Sequence, residues 1–396
     1  MSLNNTPAGE RVHIGIFGRR NAGKSSLINA ITGQRLAIVS DVKGTTTDPV
    51  FKTMELLPLG PVILIDTPGL DDTGELGALR IEKSRQILNK ADIAVLVVDA
   101  ATGLTPQDES LLSRIREKKL PHVVAYNKAD TVSQELLSDL PPEAMAVSAT
   151  TGENIHALKE HLAHLVPDTL KDRHLVADLL SPGDFVLLVI PIDKAAPKGR
   201  LILPQQQTIR DVLEAGASAM MVRDSELADT LAGLGKAPRL VITDSQAFAE
   251  VSHIVPPEIP LTSFSILFAR YKGDLAQTLE GVRALDTLKE GDKVLIAEGC
   301  THHRQCDDIG TYKIPKWIAA HTGITPDFTF TSGVEFPEDL TPYKLIIHCG
   351  ACTLNPMEVT HRMAVARTQN VPFTNYGIFI SYINGILERC IAPLAH

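Results

Sequence analysis

The sequence predicts an α/β protein built from mostly parallel sheets in three consecutive domains, at residues 10–168, 175–265 and 270–396. Three observations carry this. Short β-branched runs alternate with amphipathic stretches from Val12 onward, the alternation restarts near Phe185, and it restarts again after Lys272. A chain of 396 residues, 44% hydrophobic and 21% charged, has enough apolar surface for two or three separate cores, which excludes a disordered chain.

The opening stretch "MSLNNTPAGERVH" is polar and lacks the apolar centre of an export signal. Apolar runs such as "DFVLLVIPI" fall short of the roughly 18–20 residues that span a bilayer, so a cytoplasmic protein without membrane contact is expected. A net charge of -9 gives no general attraction to a phosphate backbone, and bulk nucleic-acid binding is not expected. Cys300, Cys306, Cys349, Cys352 and Cys390 are all the cysteines, and they crowd into the last quarter of the chain. In a reducing compartment such crowding points to a metal or redox site rather than a disulfide framework.

The first domain reads as strand "VHIGIFG", helix "SSLINAITG", strand "PVILIDTPG", helix "LRIEKSRQILNKAD", strand "IAVLVVDA", helix "DESLLSRIREKK" and strand "PHVVAYNKAD". Ligands of such sheets sit beyond the carboxyl ends of the strands, and the informative residues fall there. "GRRNAGKS" follows the first strand and opens the first helix, fitting the phosphate-loop pattern GxxxxGK[ST] with Gly18, Gly23, Lys24 and Ser25. Glycines let backbone N–H groups wrap phosphates, with Asn21, Ala22 and Ser26 in the same turn. Lys24 reaches the β/γ oxygens and Ser25 offers a hydroxyl to Mg2+.

"DTPG" ends a later strand, where Asp66 can hold a magnesium water and the Gly69 N–H can sense a γ-phosphate. In "NKAD" the Asp130 carboxylate can accept both N–H donors of guanine, Asn127 can reach the base edge, and the Lys128 stem can cover its face. Adenine presents no such donor pair. Ser148 and Ala149 of "SAT" complete the base pocket through a backbone N–H.

Together these motifs resemble the GTP-binding domain of translation-factor-related GTPases, over residues 10–165. The resemblance implies GTP hydrolysis, with "KGTTTDP" in the place of switch I and Thr46, or its neighbour Thr45, completing the Mg2+ shell. Leu70 stands where many small GTPases carry a water-orienting glutamine, so slow hydrolysis is expected. Asn21 and "GTT" resemble the subgroup typified by the tRNA-modifying GTPase TrmE. That implies a potassium ion near Asn21 in place of an arginine finger, with a merely variable loop position as the alternative.

The middle domain reads as strand "FVLLVIPID", a Pro-rich turn, helix "QQQTIRDVLEAG", strand "SAMMVRD", helix "SELADTLAGLG" and strand "RLVITD", without a catalytic motif. "PQQQ" and "MM" suit a self-association face, but a buried helix start and a core methionine pair account for them more simply.

In the last domain Lys272, Gly273 and Asp274 form a turn into the helix "LAQTLEGVRALDTLKEGD", followed by the strand "KVLIAEG" and the loop "CTHHRQCDD". Further on, the strand "YKLIIH" ends in "CGACTLNP". If the two strands are parallel neighbours, Cys300, Cys349 and Cys352 converge on one crevice with His302 and His348 close by. Three thiolates and two imidazoles exceed what a redox dithiol needs, and a Cys3His zinc site is chemically fair. Three cysteines with an open fourth position suit a [4Fe–4S] cluster best. Cys390, after the amphipathic run "YGIFISYINGILER", reads as a buried helix-end residue.

"CTH" followed by "HCGAC" resembles the CxH…HCxxC signature of the HydF family, the GTPase scaffold maturases of [FeFe]-hydrogenase, and the order of the three domains extends that resemblance to the whole chain. It implies cluster ligation by Cys300, Cys349 and Cys352, with His302 or His348 as a weak fourth ligand and Cys306 or Asp307 as alternatives. It also implies a homodimer that receives a di-iron precursor from radical-SAM maturases and delivers it to apo-[FeFe]-hydrogenase. The alternative is a tRNA-modification or ribosome-assembly GTPase with a metal-stabilised last domain. The tRNA-modifying enzymes carry a domain ahead of the phosphate loop, which here starts within the first twenty residues. A zinc-stabilised, GTP-dependent switch without a carrier role is the third reading.

Overall fold

Helices on both faces of a sheet force its central strands to be apolar throughout, and "IAVLVVD" is buried at every position but its last. In the computed structural model the described residues are 6–33, 49–69, 75–137, 140–165, 173–192, 201–299, 308–333 and 335–394. They fall into two compact units, Met1–Asp172 and Arg173–His396.

The first unit runs β1 (Val12–Phe17), α1 (Lys24–Thr32), β2 (Val50–Leu56), β3 (Gly60–Asp66), α2 (Glu75–Lys90), β4 (Ile93–Asp99), α3 (Pro106–Glu117), β5 (His122–Asn127), β6 (Ala144–Ala146) and α4 (Ile155–His164). Its sheet has the order β2-β3-β1-β4-β5-β6, antiparallel only between β2 and β3. Ile14, Ile16, Val95 and Val97 of the sheet pack with Leu27 and Ile31 of α1 and Leu158 of α4. Register sets Asp66 beside Ile16 and Asp99 beside Asn127, so four strand ends present their loops on one side.

The second unit holds two further α/β layers. The first comprises β7 (Phe185–Val189), α5 (Leu203–Glu214), β8 (Ser218–Val222), α6 (Leu227–Gly233), β9 (Leu240–Thr243), α7 (Phe248–Ile254), β10 (Leu261–Ser263) and α8 (Phe264–Lys272). The second comprises α9 (Leu275–Val282), β11 (Lys293–Glu298), α10 (Ile314–Thr322), β12 (Asp327–Ser332), β13 (Tyr343–His348), α11 (Pro356–Thr368), β14 (Phe373–Asn375), α12 (Tyr376–Ile383) and α13 (Leu387–Ile391). Both sheets are parallel, in the orders β10-β9-β7-β8 and β12-β11-β13-β14. They share one core, in which Leu187 and Val241 of the first sheet join Ile296 and Ile347 of the second through Phe248 and Phe379.

Two local readings change. The methionine pair is not core: Met220 and Met221 lie on the edge strand β8 and are 40% and 51% exposed. Lys272 is not a turn residue, because it closes α8, and the turn is left to Gly273 and to Asp274, which caps α9 by accepting the Gln277 N–H at 3.1 Å. The glutamine run does start a helix: Gln205 Oε1 accepts the Ile202 N–H at 3.0 Å, and its Nε2 donates to Asp244 at 3.0 Å. Cys390 is fully buried in α13, as its position after an amphipathic run suggested. No described helix is long and apolar enough to cross a membrane.

Helix α9 lies on β14 with no room between them, since a Cβ on Gly281 would stand 2.1 Å from the Phe373 carbonyl oxygen. Strain from such a backbone clash, about 1–3 kcal/mol, exceeds the ~1 kcal/mol of helix propensity that alanine adds. Gly281→Ala should therefore lower the urea midpoint of unfolding; a midpoint at or above wild type would show that the layer yields freely.

Candidate functional site

Two sets of loops gather chemistry-bearing side chains, one in each unit. In the first, the turn between β1 and α1 passes through left-handed backbone at Asn21 (φ 61°) and Gly23 (φ 90°). At Gly23 the approach of Asn127 leaves no room for a side chain, because an added Cβ would meet Asn127 Nδ2 at 2.1 Å. The Lys24 ammonium lies within this turn and donates to the carbonyls of Gly18 at 2.9 Å and Arg19 at 2.8 Å. Arg19 in turn pairs with Asp108, the buried capping residue of α3, at 3.2 Å.

Ser25 Oγ donates to Asp66 Oδ2 at 2.6 Å, while Asp66 Oδ1 is buried without a hydrogen-bond partner among the described residues. Burial pushes the Asp66 carboxyl above the usual carboxylate range, against the Ser25 hydrogen bond and the Lys24 charge. A hydroxyl and a carboxylate with one unmatched oxygen form a hard-oxygen donor set that fits Mg2+. Thr67 anchors the "DTPG" turn by donating from Oγ1 to Ile16 O at 2.7 Å, and Gly69 packs against the backbone of Arg20.

The base-reading motif is tied to both neighbouring loops. Asn127, 1% exposed, donates to Ala22 O and accepts the Ala149 N–H, each at 3.0 Å, so it braces the phosphate loop against "SAT". Ser148 Oγ accepts the Thr151 N–H at 3.1 Å and shapes that turn. Lys128, in left-handed backbone, bonds Asp99 Oδ2 at 2.7 Å. Burial opposes the Asp99 charge, yet the Lys128 bond, the Ala101 N–H and the Lys128 and Arg19 charges together hold its carboxyl below the usual range. Asp130 is exposed in the short turn after β5, and Ser26 is half-buried in the first turn of α1.

In the second unit β11 and β13 are parallel neighbours, with Ala297 opposite His348. Immediately past their ends the Gly299 N–H donates to Cys349 Sγ at 3.0 Å, the Ala351 N–H to the same sulfur at 3.4 Å, and the Cys349 N–H to Ala297 O at 2.9 Å. Cys349 and Cys352 are both half-buried. Burial pushes the Cys352 thiol up, while the Lys272 charge and the N–H groups of Cys352 and Thr353 pull it down. Soft thiol donors on a loop that also aims N–H groups at sulfur fit an iron–sulfur centre.

His348 is 2% exposed, and both of its ring nitrogens are engaged. Nδ1 bonds Cys349 O at 2.9 Å, and Nε2 faces Arg362 Nη1 at 3.1 Å. The guanidinium can only donate, so Nε2 accepts and the proton sits on Nδ1. Arg362, 1% exposed, also bonds Glu358 Oε1 at 2.9 Å and Gly333 O at 2.8 Å. Sequence reasoning passed over Arg362, Lys272 and Asp99; a charged residue in a helix, a turn or at a strand end signals solvent, and only the fold shows these ones buried or paired.

Thr45, Thr46, Leu70, Cys300, His302, Cys306 and Asp307 lie outside the described residues. Among the described residues no group of three or more His, Cys, Asp or Glu side chains is placed to hold a metal ion.

Burial first, and the Arg362 charge second, lower the His348 pKa from 6.5 to about 3, against the bond to Cys349 O. Between these values the unfolded chain binds the extra proton, so the stabilisation is complete above about pH 6.5 and is lost as pH falls toward 3, by up to ~1.4 kcal/mol per unit. Urea unfolding of the metal-free protein should show this slope below about pH 6.5, and His348→Gln should flatten it. Equal slopes in the two proteins would assign the titration to other groups.

A family profile described as the hydrogen maturase F dimerization domain matches residues 175–273, and one described as the hydrogen maturase F tetramerization domain matches residues 276–393. Residues 13–128 match the profile of a 50S ribosome-binding GTPase. The chain is 36% identical over 160 residues to the tRNA modification GTPase MnmE of Chromobacterium violaceum, covering 40% of this chain and 35% of that protein. It is 35% identical over 165 residues to MnmE of Aquifex aeolicus, covering 41% and 36%. The chain thus spans about a third of the length of these curated relatives. Among solved structures it is similar to an Era variant of Aquifex aeolicus bound to GDP and AlF4−, with a TM-score of 0.36, 20% identity, and coverage of 53% of this chain and 92% of that one. A probable GTP-binding protein engB gives a TM-score of 0.32, 25% identity, and coverage of 39% and 98%. The first unit is a P-loop GTPase domain, the second carries domains of the dimerization and tetramerization types, and the chain belongs to the hydrogen maturase F (HydF) family.

Proposed function

We propose that the chain is a slow, cytoplasmic GTPase and scaffold that binds a [4Fe–4S] cluster and carries the di-iron precursor of the [FeFe]-hydrogenase active site to the apo-hydrogenase. One conjunction carries the reading: the Ser25–Asp66 pair beside a phosphate loop occurs in the same chain as a cysteine loop whose Cys349 sulfur receives two N–H groups. The domains of residues 10–168, 175–265 and 270–396 act as GTPase, self-association module and cluster-binding module.

In hydrolysis, water attacks the γ-phosphorus, the bond between that phosphorus and the β–γ bridging oxygen breaks, and GDP and phosphate leave. Phosphate-loop N–H groups orient the nucleotide, and Lys24 exchanges its two carbonyl acceptors for phosphate oxygens, which bear more charge. Ser25 and Thr46 would hold Mg2+, with Asp66 behind its water, and the ion supplies positive charge to the phosphates. The Gly69 N–H faces the γ-phosphate, and Leu70 gives the attacking water no polar partner. Asp130 reads guanine, Lys128 covers its face, and Ala149 with Ser148 closes the pocket.

Potassium held at Asn21 would supply the charge of an arginine finger. Such a finger is worth 10³-fold or more, so hydrolysis in KCl should exceed that in NaCl at least about tenfold. Equal rates in the two salts remove potassium from the mechanism.

Cys300, Cys349 and Cys352 would ligate the cluster, with His302 the first candidate for the fourth position and Cys306 or Asp307 the alternatives. When bound, such a cluster supplies an iron position open to an outside ligand. The oligomer presents these loops to radical-SAM maturases and to the apo-hydrogenase. Anaerobic iron and sulfide analysis with EPR tests the reading. Cys349→Ala should lose the iron, the sulfide and the reduced-state signal, and keep its GTP hydrolysis rate. A colourless wild-type protein holding zinc would overturn the carrier reading. The similarity to MnmE covers 40% of this chain and 35% of that protein, so a tRNA-modification role rests on that part only.

A further inference from the structure

Lys272 carries a buried charge that no motif uses. It is 1% exposed, stands at the last position of α8, and its ammonium lies 5.2 Å from the centre of the Phe268 ring. Its three donors meet three carbonyl oxygens of a single loop: Ala351 O at 3.1 Å, Cys352 O at 2.9 Å and Leu354 O at 2.6 Å. An ammonium has three N–H donors and no acceptor, and these three carbonyls offer it three acceptors. Burying such a charge costs several kcal/mol unless its donors are met. The loop is shaped to meet them, for Ala351 adopts left-handed backbone (φ 53°) within the turn whose carbonyls converge on the cation.

We propose that Lys272 is the positioning residue of the cysteine loop: an ammonium delivered by α8 gathers the carbonyls of Ala351, Cys352 and Leu354 and so fixes where the Cys352 thiol stands. This rests on the reading of Cys349 and Cys352 as cluster ligands. Helix α8 is itself held through Phe264, Ile266, Leu267 and Phe268, all buried. It lies in the segment matched by the dimerization profile, whereas the loop lies in the segment matched by the tetramerization profile. The conformation of the cysteine loop is thereby set from a neighbouring module.

The test is time-resolved iodoacetamide labelling of the full-length, reduced, metal-free protein, with each cysteine peptide quantified by mass spectrometry in wild type and Lys272→Met. Because losing the Lys272 charge also disfavours the Cys352 thiolate, rates are compared per thiolate from labelling at several pH values; loss of hydrogen bonds to a charged group should raise that rate for Cys352 at least about tenfold. Cys390, fully buried in the core of the same unit, reports general loosening and should label at its wild-type rate. GTP hydrolysis, carried by the other unit, should not change.

Unchanged labelling of Cys352 overturns the proposal, and so does equal acceleration of Cys352 and Cys390, which marks mere destabilisation. Should the variant not fold, hydrogen exchange of the wild type decides: the Leu354 amide, bonded to Ala351 O, should open together with the last turn of α8. Independent, faster exchange of the loop overturns the proposal. Iron binding is measured separately; if wild type binds none, the cluster reading fails while the labelling still decides the role of Lys272.

Discussion

The parallel pairing of β11 with β13 is the constraint on which the last third of the chain depends. Parallel strands end on the same side, so their following loops emerge side by side. The ladder continues to Cys349, whose N–H bonds Ala297 O, and one step beyond it the Gly299 N–H turns to the Cys349 sulfur. Register matters as much as direction. His348 stacks on Phe373 inside the sheet, and a slip of one residue would drive that ring to the opposite face and displace the thiol behind it.

Beneath the loop lie two cations, Lys272 and Arg362, each 1% exposed. Buried ion pairs are often replaceable by apolar side chains, because both partners can be removed together. Here that escape is closed. Lys272 meets the main-chain carbonyls of residues 351, 352 and 354, and Arg362 meets that of Gly333 besides the Glu358 and His348 side chains; the carbonyls remain whatever side chain faces them. Removing the cation leaves buried acceptors unmet, at about 1–3 kcal/mol each. The backbone path through left-handed Ala351 thus demands a cation, and the cation in turn makes that path the stable one.

The GTPase motifs were legible because their chemistry is local: a phosphate loop, "DTPG" and "NKAD" each declare themselves within a few residues of a strand end. The reading of the cysteine loops rested on a condition, that β11 and β13 be parallel neighbours, and the strands meet that condition, while Cys300 itself lies outside the described residues. Lys272 was not legible, since a lysine before Gly-Asp reads as a solvated turn and its partners lie about eighty residues away. His348 shows the opposite failing: a histidine next to a CxxC reads as a ligand, but burial and the Arg362 donor turn it into a brace for the Cys349 carbonyl. The exposed Met220 and Met221 were misread because apolar pairs signal burial only when a neighbouring strand covers them, and β8 is an edge.

The groups described around the phosphate loop come from residues 18–153, and those around the cysteine loop from residues 272–375. The first set belongs to one compact unit and the second to the other. If the chain carries the proposed cargo, coupling it to GTP requires an element with two arrangements, each favoured by one nucleotide state, and self-association through the matched dimerization segment would be such an element. Helix α8 is suited to transmit it. Any shift of the dimerization segment that moves the end of α8 moves the Lys272 ammonium, and three carbonyls of the cysteine loop must follow or lose their partner. On the proposed carrier reading, self-association and the position of the cysteine loop are then two readings of one helix position.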